Sequence, residues 1–114
     1  MVRAANRKNN DLLPGTLEML ILQTLTGGKR HGYGIAQCIQ EISDDVLQVE
    51  EGSLYPALQR LLVKGWVKAE WGSSENNRRA RFYTLTSAGR KQLGVEAESF
   101  QRTIAAIARV MRTT

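Results

Sequence analysis

The chain is expected to be mainly α-helical, with one small β-hairpin and a long helix at its C-terminus. Three observations predict this class. Apolar residues recur at steps of three and four in several separate segments. One stretch, 66–85, instead alternates apolar and polar residues on either side of a polar loop. The final segment then keeps an apolar stripe through six successive positions.

The length of 114 residues suits one small domain. A chain of this size hides only roughly two-thirds of its unfolded surface on folding, so added burial against a partner chain is expected. The single cysteine forms no internal disulfide and no multi-cysteine zinc site. Neither a metal nor another cofactor is expected. No apolar run approaches the ~18 residues of a membrane span. Residues 1–10 lack the apolar core of a secretory signal, so a cytoplasmic protein is expected.

Residues 1–11, with Arg3, Arg7 and Lys8, form a polar basic head, expected to be flexible. Pro14-Gly15-Thr16 opens a first helix whose apolar residues, Leu17, Leu20, Ile21, Leu22 and Leu25, leave few polar sites. Gly27-Gly28 stops it. A second helix over about 31–42 puts Ile35, Ala36, Ile39 and Ile42 on one face. His31, at its start, reads as a surface or capping residue, and Cys38 as a small hydrophobe. Leu47 and Val49 alternate with polar neighbours and predict a very short strand. Pro56 belongs in the first turn of a third helix, with Ser53 as its cap. Leu54, Leu58, Leu61 and Leu62 then face the core, while Tyr55, Gln59, Arg60 and Lys64 lie nearer the other side.

Trp66 to Trp71 is a half-exposed strand, and Arg78 to Leu85 is its return arm. The loop between them is polar and longer than a two-residue turn. Trp66 and Trp71 read as core anchors of the hairpin or as an aromatic cage. The last helix starts at Thr86 or Ser87 and runs to about Met111. Leu93, Ala97, Phe100, Ile104, Ile107 and Met111 mark its stripe. That stripe covers the chain's own first helix, forms an intermolecular seam, or does both.

Helix, helix, short strand, helix, hairpin and long helix is the order of a winged helix-turn-helix. Residues 12–86 form that unit and 87–112 a dimerisation helix. Residues 53–64 are the recognition helix and 72–79 the wing. Charge supports the reading. Residues 1–50 hold 5 basic and 6 acidic side chains, whereas 51–114 hold 11 basic and 5 acidic. Such asymmetry fits a face that binds a polyanion.

A helix fits the DNA major groove, and a basic hairpin tip reaches phosphates or the minor groove. The candidate contacts are Ser53, Tyr55, Gln59, Arg60 and Lys64 on the helix, and Asn76, Asn77, Arg78, Arg79 and Arg81 on the wing. Tyr55 either donates to a phosphate or packs in a helix junction. The wing arginines either contact DNA or protect the hairpin. No catalytic or phosphate-loop motif is present, and an enzyme is not expected. A protein-interaction module that uses the same fold and stripe without DNA is the second reading.

Three stretches carry a family resemblance. One is Leu17-Glu18-Met19-Leu20-Ile21-Leu22 leading to His31-Gly32-Tyr33-Gly34-Ile35. Another is Glu51-Gly52-Ser53-Leu54-Tyr55-Pro56-Ala57-Leu58-Gln59-Arg60-Leu61. The third runs from Gly65-Trp66-Val67 through Trp71-Gly72 to Arg79-Ala80-Arg81-Phe82-Tyr83-Thr84-Leu85-Thr86-Ser87-Ala88-Gly89. Over roughly 12–91 the sequence resembles the PadR-like transcriptional regulators, bacterial winged-helix repressors, in their branch with a single C-terminal helix.

The resemblance implies a homodimer in which residues 90–112 pack against the partner, with 17–25 as the opposing surface. It implies a palindromic double-stranded DNA operator met by two recognition helices. The family's recognition-helix tyrosine matches Tyr55, and its basic wing residues match Arg78, Arg79 and Arg81. Members usually repress their own gene or a neighbouring efflux or detoxification gene. Some release DNA on binding a small aromatic or drug-like effector. The drug-binding aromatic pair of some members has no match in the last helix, where Phe100 is the only aromatic.

Overall fold

Leucine density decides where the middle of this protein lies. In the computed structural model, which describes residues 14–113, helix α1 (Pro14–Thr24) runs through the centre of the core. Its Leu17, Met19, Ile21 and Leu22 are all buried, so it is covered on several sides at once. Proline suits its first position, where no backbone donor is needed. A 3-10 turn over Leu25–Gly27 follows, and Gly28, at φ 125°, turns the chain away. That backbone is open to glycine and strained for other residues. The basic segment 1–11 lies outside the described residues.

Strand β1 is only Arg30–His31, and α2 spans Gly32–Ile42. His31 is the N-cap of α2, its Nδ1 accepting the Gly34 N–H at 3.0 Å. The capping alternative for His31 is therefore the observed one. Asp44 and Asp45 then take left-handed backbone, φ 54° and 66°, and end the helix. The strand expected at Leu47 and Val49 does not form. Both side chains are half-buried against the core, so their alternation records packing, not strand pairing. The third strand is instead Arg30–His31, in the basic turn.

Helix α3 spans Glu51–Lys64 and starts earlier than the expected Ser53 cap. Glu50 is the N-cap, with extended backbone and no side-chain hydrogen bond, and Pro56 falls in the sixth position. Proline there deprives the Gly52 carbonyl of its partner. Gly52 and Pro56 are both exposed, so that carbonyl is open to solvent. The helix ends at Gly65, φ 77°, with Gly65 N–H donating to Leu62 and Trp66 N–H to Leu61, each at 3.0 Å. These paired bonds form a Schellman closure.

Strands β2 (Val67–Ser73) and β3 (Arg79–Leu85) pair antiparallel, from Val67 opposite Leu85 out to Ser73 opposite Arg79. Strand β1 pairs the other edge of β3, giving the order β1-β3-β2. Val67 and Tyr83 are buried in the core, and Ala69 and Leu85 pack beside them. Toward the tip, the same face continues as Trp71, Arg81 and Arg79.

Helix α4 spans Ser87–Arg112. Thr86 caps it, accepting from Gly89 N–H at 3.0 Å and donating its hydroxyl to the Gly65 carbonyl at 2.7 Å. One threonine therefore joins the start of α4 to the end of α3. The first turns of α4 bury Gly89 against the Trp66 carbonyl and Leu85, and Leu93 joins the core cluster beside the residues of α1. Beyond half-buried Ala97 the stripe is left largely open by the described residues. Phe100 and Ile104 are 41% and 47% exposed, and Ile107 and Met111 are exposed too.

Two glycines of α4 have opposite consequences. A Cβ on Gly89 would lie 1.9 Å from the Trp66 carbonyl oxygen, whereas one on Gly94 meets nothing within 4 Å. Gly89→Ala is expected to destabilise by about 1–3 kcal/mol through overpacking. Gly94→Ala is expected to stabilise by about 0.5–1 kcal/mol through helix propensity. Urea denaturation of the two variants checks the difference in sign.

Candidate nucleic-acid interface

Helix α3 buries Leu54, Ala57, Leu58 and Leu61 and leaves Gly52, Tyr55, Pro56, Gln59 and Val63 exposed. That outer face is short of charge. Gln59 is open to solvent near its middle, and Tyr55 lies on one flank, 46% exposed. The Tyr55 ring rests on the first turn of α2, where a Cβ on Gly32 would come within 2.9 Å of it. Gly32 is therefore the residue that lets the ring lie there. Burial, then the Glu51 carboxylate, then Tyr83 hold the Tyr55 phenol above its usual value of 10.0. Near neutral pH it remains a hydrogen-bond donor. A shallow groove of about 420 Å³ between α2 and α3 is lined by Tyr33, Gln37, Glu41, Glu51 and Tyr55 among others.

Arg60 and Lys64 are not on that outer face. Arg60 Nε donates to Glu18 Oε2 on α1, and Lys64 Nζ lies 3.3 Å from Glu18 Oε1. Lys64 also stands 4.8 Å over the Trp66 ring. Five residues place Arg60 roughly 140° around the helix from Tyr55, so the two residues belong to opposite flanks. Ser53, exposed and not a cap, lies on the Arg60 side. The sequence reading missed Glu18, which is 9% exposed and takes both cations. Its signal was visible, since it is the only charged residue of α1. A carboxylate in a buried apolar helix needs cationic or hydrogen-bonding partners.

The wing tip is a turn over 74–78. Ser74 N–H donates to the Arg78 carbonyl and Asn77 N–H to the Ser74 carbonyl, both at 2.8 Å. Asn77 adopts φ 60°, a left-handed conformation that asparagine tolerates. Asn76, Asn77, Arg78, Arg79 and Arg81 are all exposed. None of the three arginines joins an ion pair among the described residues. Trp71 is 59% exposed and is no core anchor, whereas Trp66 is half-buried and packs against the core. On the opposite face, Glu70 lies 3.9 Å from Lys29, and Lys29 stands 5.5 Å over Phe82.

A wider open groove, about 820 Å³, separates the wing from α2. Cys38 lines it as a free, half-buried thiol. No cluster of potential metal ligands occurs among the described residues. No described helix is long and apolar enough to cross a membrane. The arrangement therefore offers exposed cations on the wing, a neutral phenol and an amide on α3, and an uncovered apolar helix end.

Three packed helices, a hairpin joined to them by a two-residue strand, and a long closing helix define a winged helix-turn-helix protein. The family model described as the transcriptional regulator PadR-like family matches residues 21–95. The chain belongs to the PadR-like family of transcriptional regulators. A transcriptional regulator from Clostridium thermocellum superposes with a TM-score of 0.76 at 29% identity, covering 83% of this chain and 92% of that one. A PadR-like transcription factor from Bacteroides fragilis gives 0.69 at 29% identity, covering 85% and 91%.

Protein X of Lysinibacillus sphaericus is 31% identical over 84 residues, which is 74% of this chain and 77% of that protein. A 37.1 kDa protein of transposon TN4556 in Streptomyces fradiae is 40% identical over 85 residues, 75% of this chain but 23% of its own length.

Because Tyr55 is raised, the folded state holds its proton more tightly than the unfolded state. The resulting stabilisation is complete below pH ~10 and is lost as pH rises through the folded value. An ultraviolet titration, taken as the difference between the unaltered chain and Tyr55→Phe, should place this ionisation above pH ~10. Ionisation below that point would contradict the environment described for the ring.

Proposed function

We propose that this chain is a homodimeric, sequence-specific double-stranded-DNA-binding regulator that represses its own gene, a neighbouring transporter or detoxification gene, or both. The observation that carries the reading is the state of the wing. Arg78, Arg79 and Arg81 are exposed and unpaired among the described residues, beside a fold whose third helix keeps an open outer face. The wing arginines supply phosphate contacts, which fix register and carry most of the salt dependence. Tyr55 donates to a phosphate from the flank of α3, and Gln59 is placed to meet a base edge. Arg60 and Lys64, drawn to Glu18, contribute less to DNA than the wing does.

The second copy covers the exposed part of the α4 stripe, namely Phe100, Ile104, Ile107 and Met111, while Leu93 and Ala97 pack within the chain. The same stripe would serve a module that binds a different protein and no DNA. A gel-shift titration against the DNA upstream of the gene separates the readings. Adding small aromatic compounds to the same titration tests release by an effector. Retardation no stronger than with random DNA at moderate salt would exclude the specific regulator.

Arg78→Ala with Arg79→Ala should weaken binding to all duplexes alike. It should also lower the slope of log affinity against log salt by about 1 per lost contact. Unchanged affinity and slope would remove the wing from the mechanism. Phe100→Glu and Ile104→Glu should leave a folded monomer, because both side chains are exposed in the single chain. Solution mass at micromolar concentration checks this, and two variants that remain dimeric would place the seam elsewhere.

A further inference from the structure

An exposed tryptophan on a polar hairpin calls for a physical reason. Trp71 lies on β2 directly opposite Arg81, and Arg79 lies two pairs further out, opposite Ser73, with Gly72 opposite Ala80 between them. Side chains alternate along a strand, so Trp71, Arg81 and Arg79 share one face of the hairpin. The core covers this face only as far as Tyr83 and Ala69. Beyond it, the Arg79 guanidinium carbon stands 4.7 Å from the centre of the Trp71 ring. Among the described residues no carboxylate pairs with it. Glu70, the one acidic residue of β2, lies on the other face and is drawn to Lys29.

We propose that Trp71 is a positioning residue for the wing: its indole face holds the Arg79 guanidinium ready to receive a DNA phosphate. The inference rests on the DNA-binding reading above and names a residue that reading does not use. A guanidinium over an aromatic face keeps its in-plane N–H groups free for phosphate oxygens. The ring also restricts an otherwise mobile arginine before DNA arrives, which lowers the entropy lost on docking. A carboxylate would hold the same side chain but would occupy its donors and cancel its charge. An aromatic ring holds it without either cost.

The test uses the full chain and a short mixed-sequence duplex at low salt, because phosphate contacts need no particular sequence. Trp71→Leu should weaken binding by about 2- to 5-fold, the range of a surface cation–π contact. Trp71→Phe, which keeps a ring face, should restore most of the loss. Trp71→Leu in an Arg79→Ala background should cost nothing further, since the tryptophan acts through the arginine. Arg79→Lys keeps Trp71 intact and the charge in place, yet should lose a similar amount by giving up the planar group.

Trp71 emission, taken as the unaltered chain minus Trp71→Phe, should change on saturation with DNA. Additive losses in the Trp71/Arg79 cycle, Arg79→Lys binding at full strength, or an unchanged Trp71 emission would each overturn the proposal. A chain that binds no duplex at low salt would overturn the DNA reading itself, and the proposal with it.

Discussion

Glu18 is the constraint on which the arrangement of this protein turns. It is an almost buried carboxylate in the most apolar helix, and two side chains of α3 close over it. An ionised group there is strongly penalised unless it is paired. Arg60 and Lys64 supply the pairing, and both remain roughly half-exposed, so their own contribution to net stability is modest. The larger effect is geometric. The charge-assisted hydrogen bonds from α3 to α1 agree with the rotation of α3 that its buried face of Leu54, Ala57, Leu58 and Leu61 requires. That rotation directs Gln59 outward and sets the Tyr55 ring on Gly32.

The same pairing sorts the charges. The basic excess of residues 51–114 looks like one continuous face in the sequence. In three dimensions it divides. Arg60 and Lys64 serve the interior, whereas Arg78, Arg79 and Arg81 remain exposed on the hairpin. The exposed cations are thereby concentrated on the wing, and the outer face of α3 presents a neutral tyrosine and a glutamine. In the proposed complex, contacts that position the protein and contacts that read sequence would be carried by different elements.

Most of the fold was legible because its elements are strongly periodic. The leucines of α1 and α3, the alternation in β2 and β3 and the stripe of α4 each report a face that must be covered. Three features were not legible, each for a physical reason. A two-residue strand has no period, so Arg30 and His31 read as a turn while Leu47 and Val49 looked like the better strand. Proline favours a first helical turn, but an exposed Gly52 carbonyl makes a later position tolerable, so α3 begins earlier than Ser53. Arg60 and Lys64 appeared outward because a sequence shows charge and not its partner. Glu18 lies 42 residues from Arg60, beyond any local pattern. The exposed stretch of α4 gained the most from the structure. The stripe alone left self-packing and an intermolecular seam open; among the described residues, Leu93 and Ala97 are covered whereas Phe100, Ile104, Ile107 and Met111 are exposed.

The central claim is that two copies of this unit, joined through α4, place α3 in successive major grooves with a wing beside each. Hydroxyl-radical footprinting on the DNA upstream of the gene tests it most directly. The account predicts two protected tracts related by a two-fold axis, with centres about one helical turn or a multiple of it apart. A single uninterrupted tract, or protection without two-fold symmetry, would contradict it.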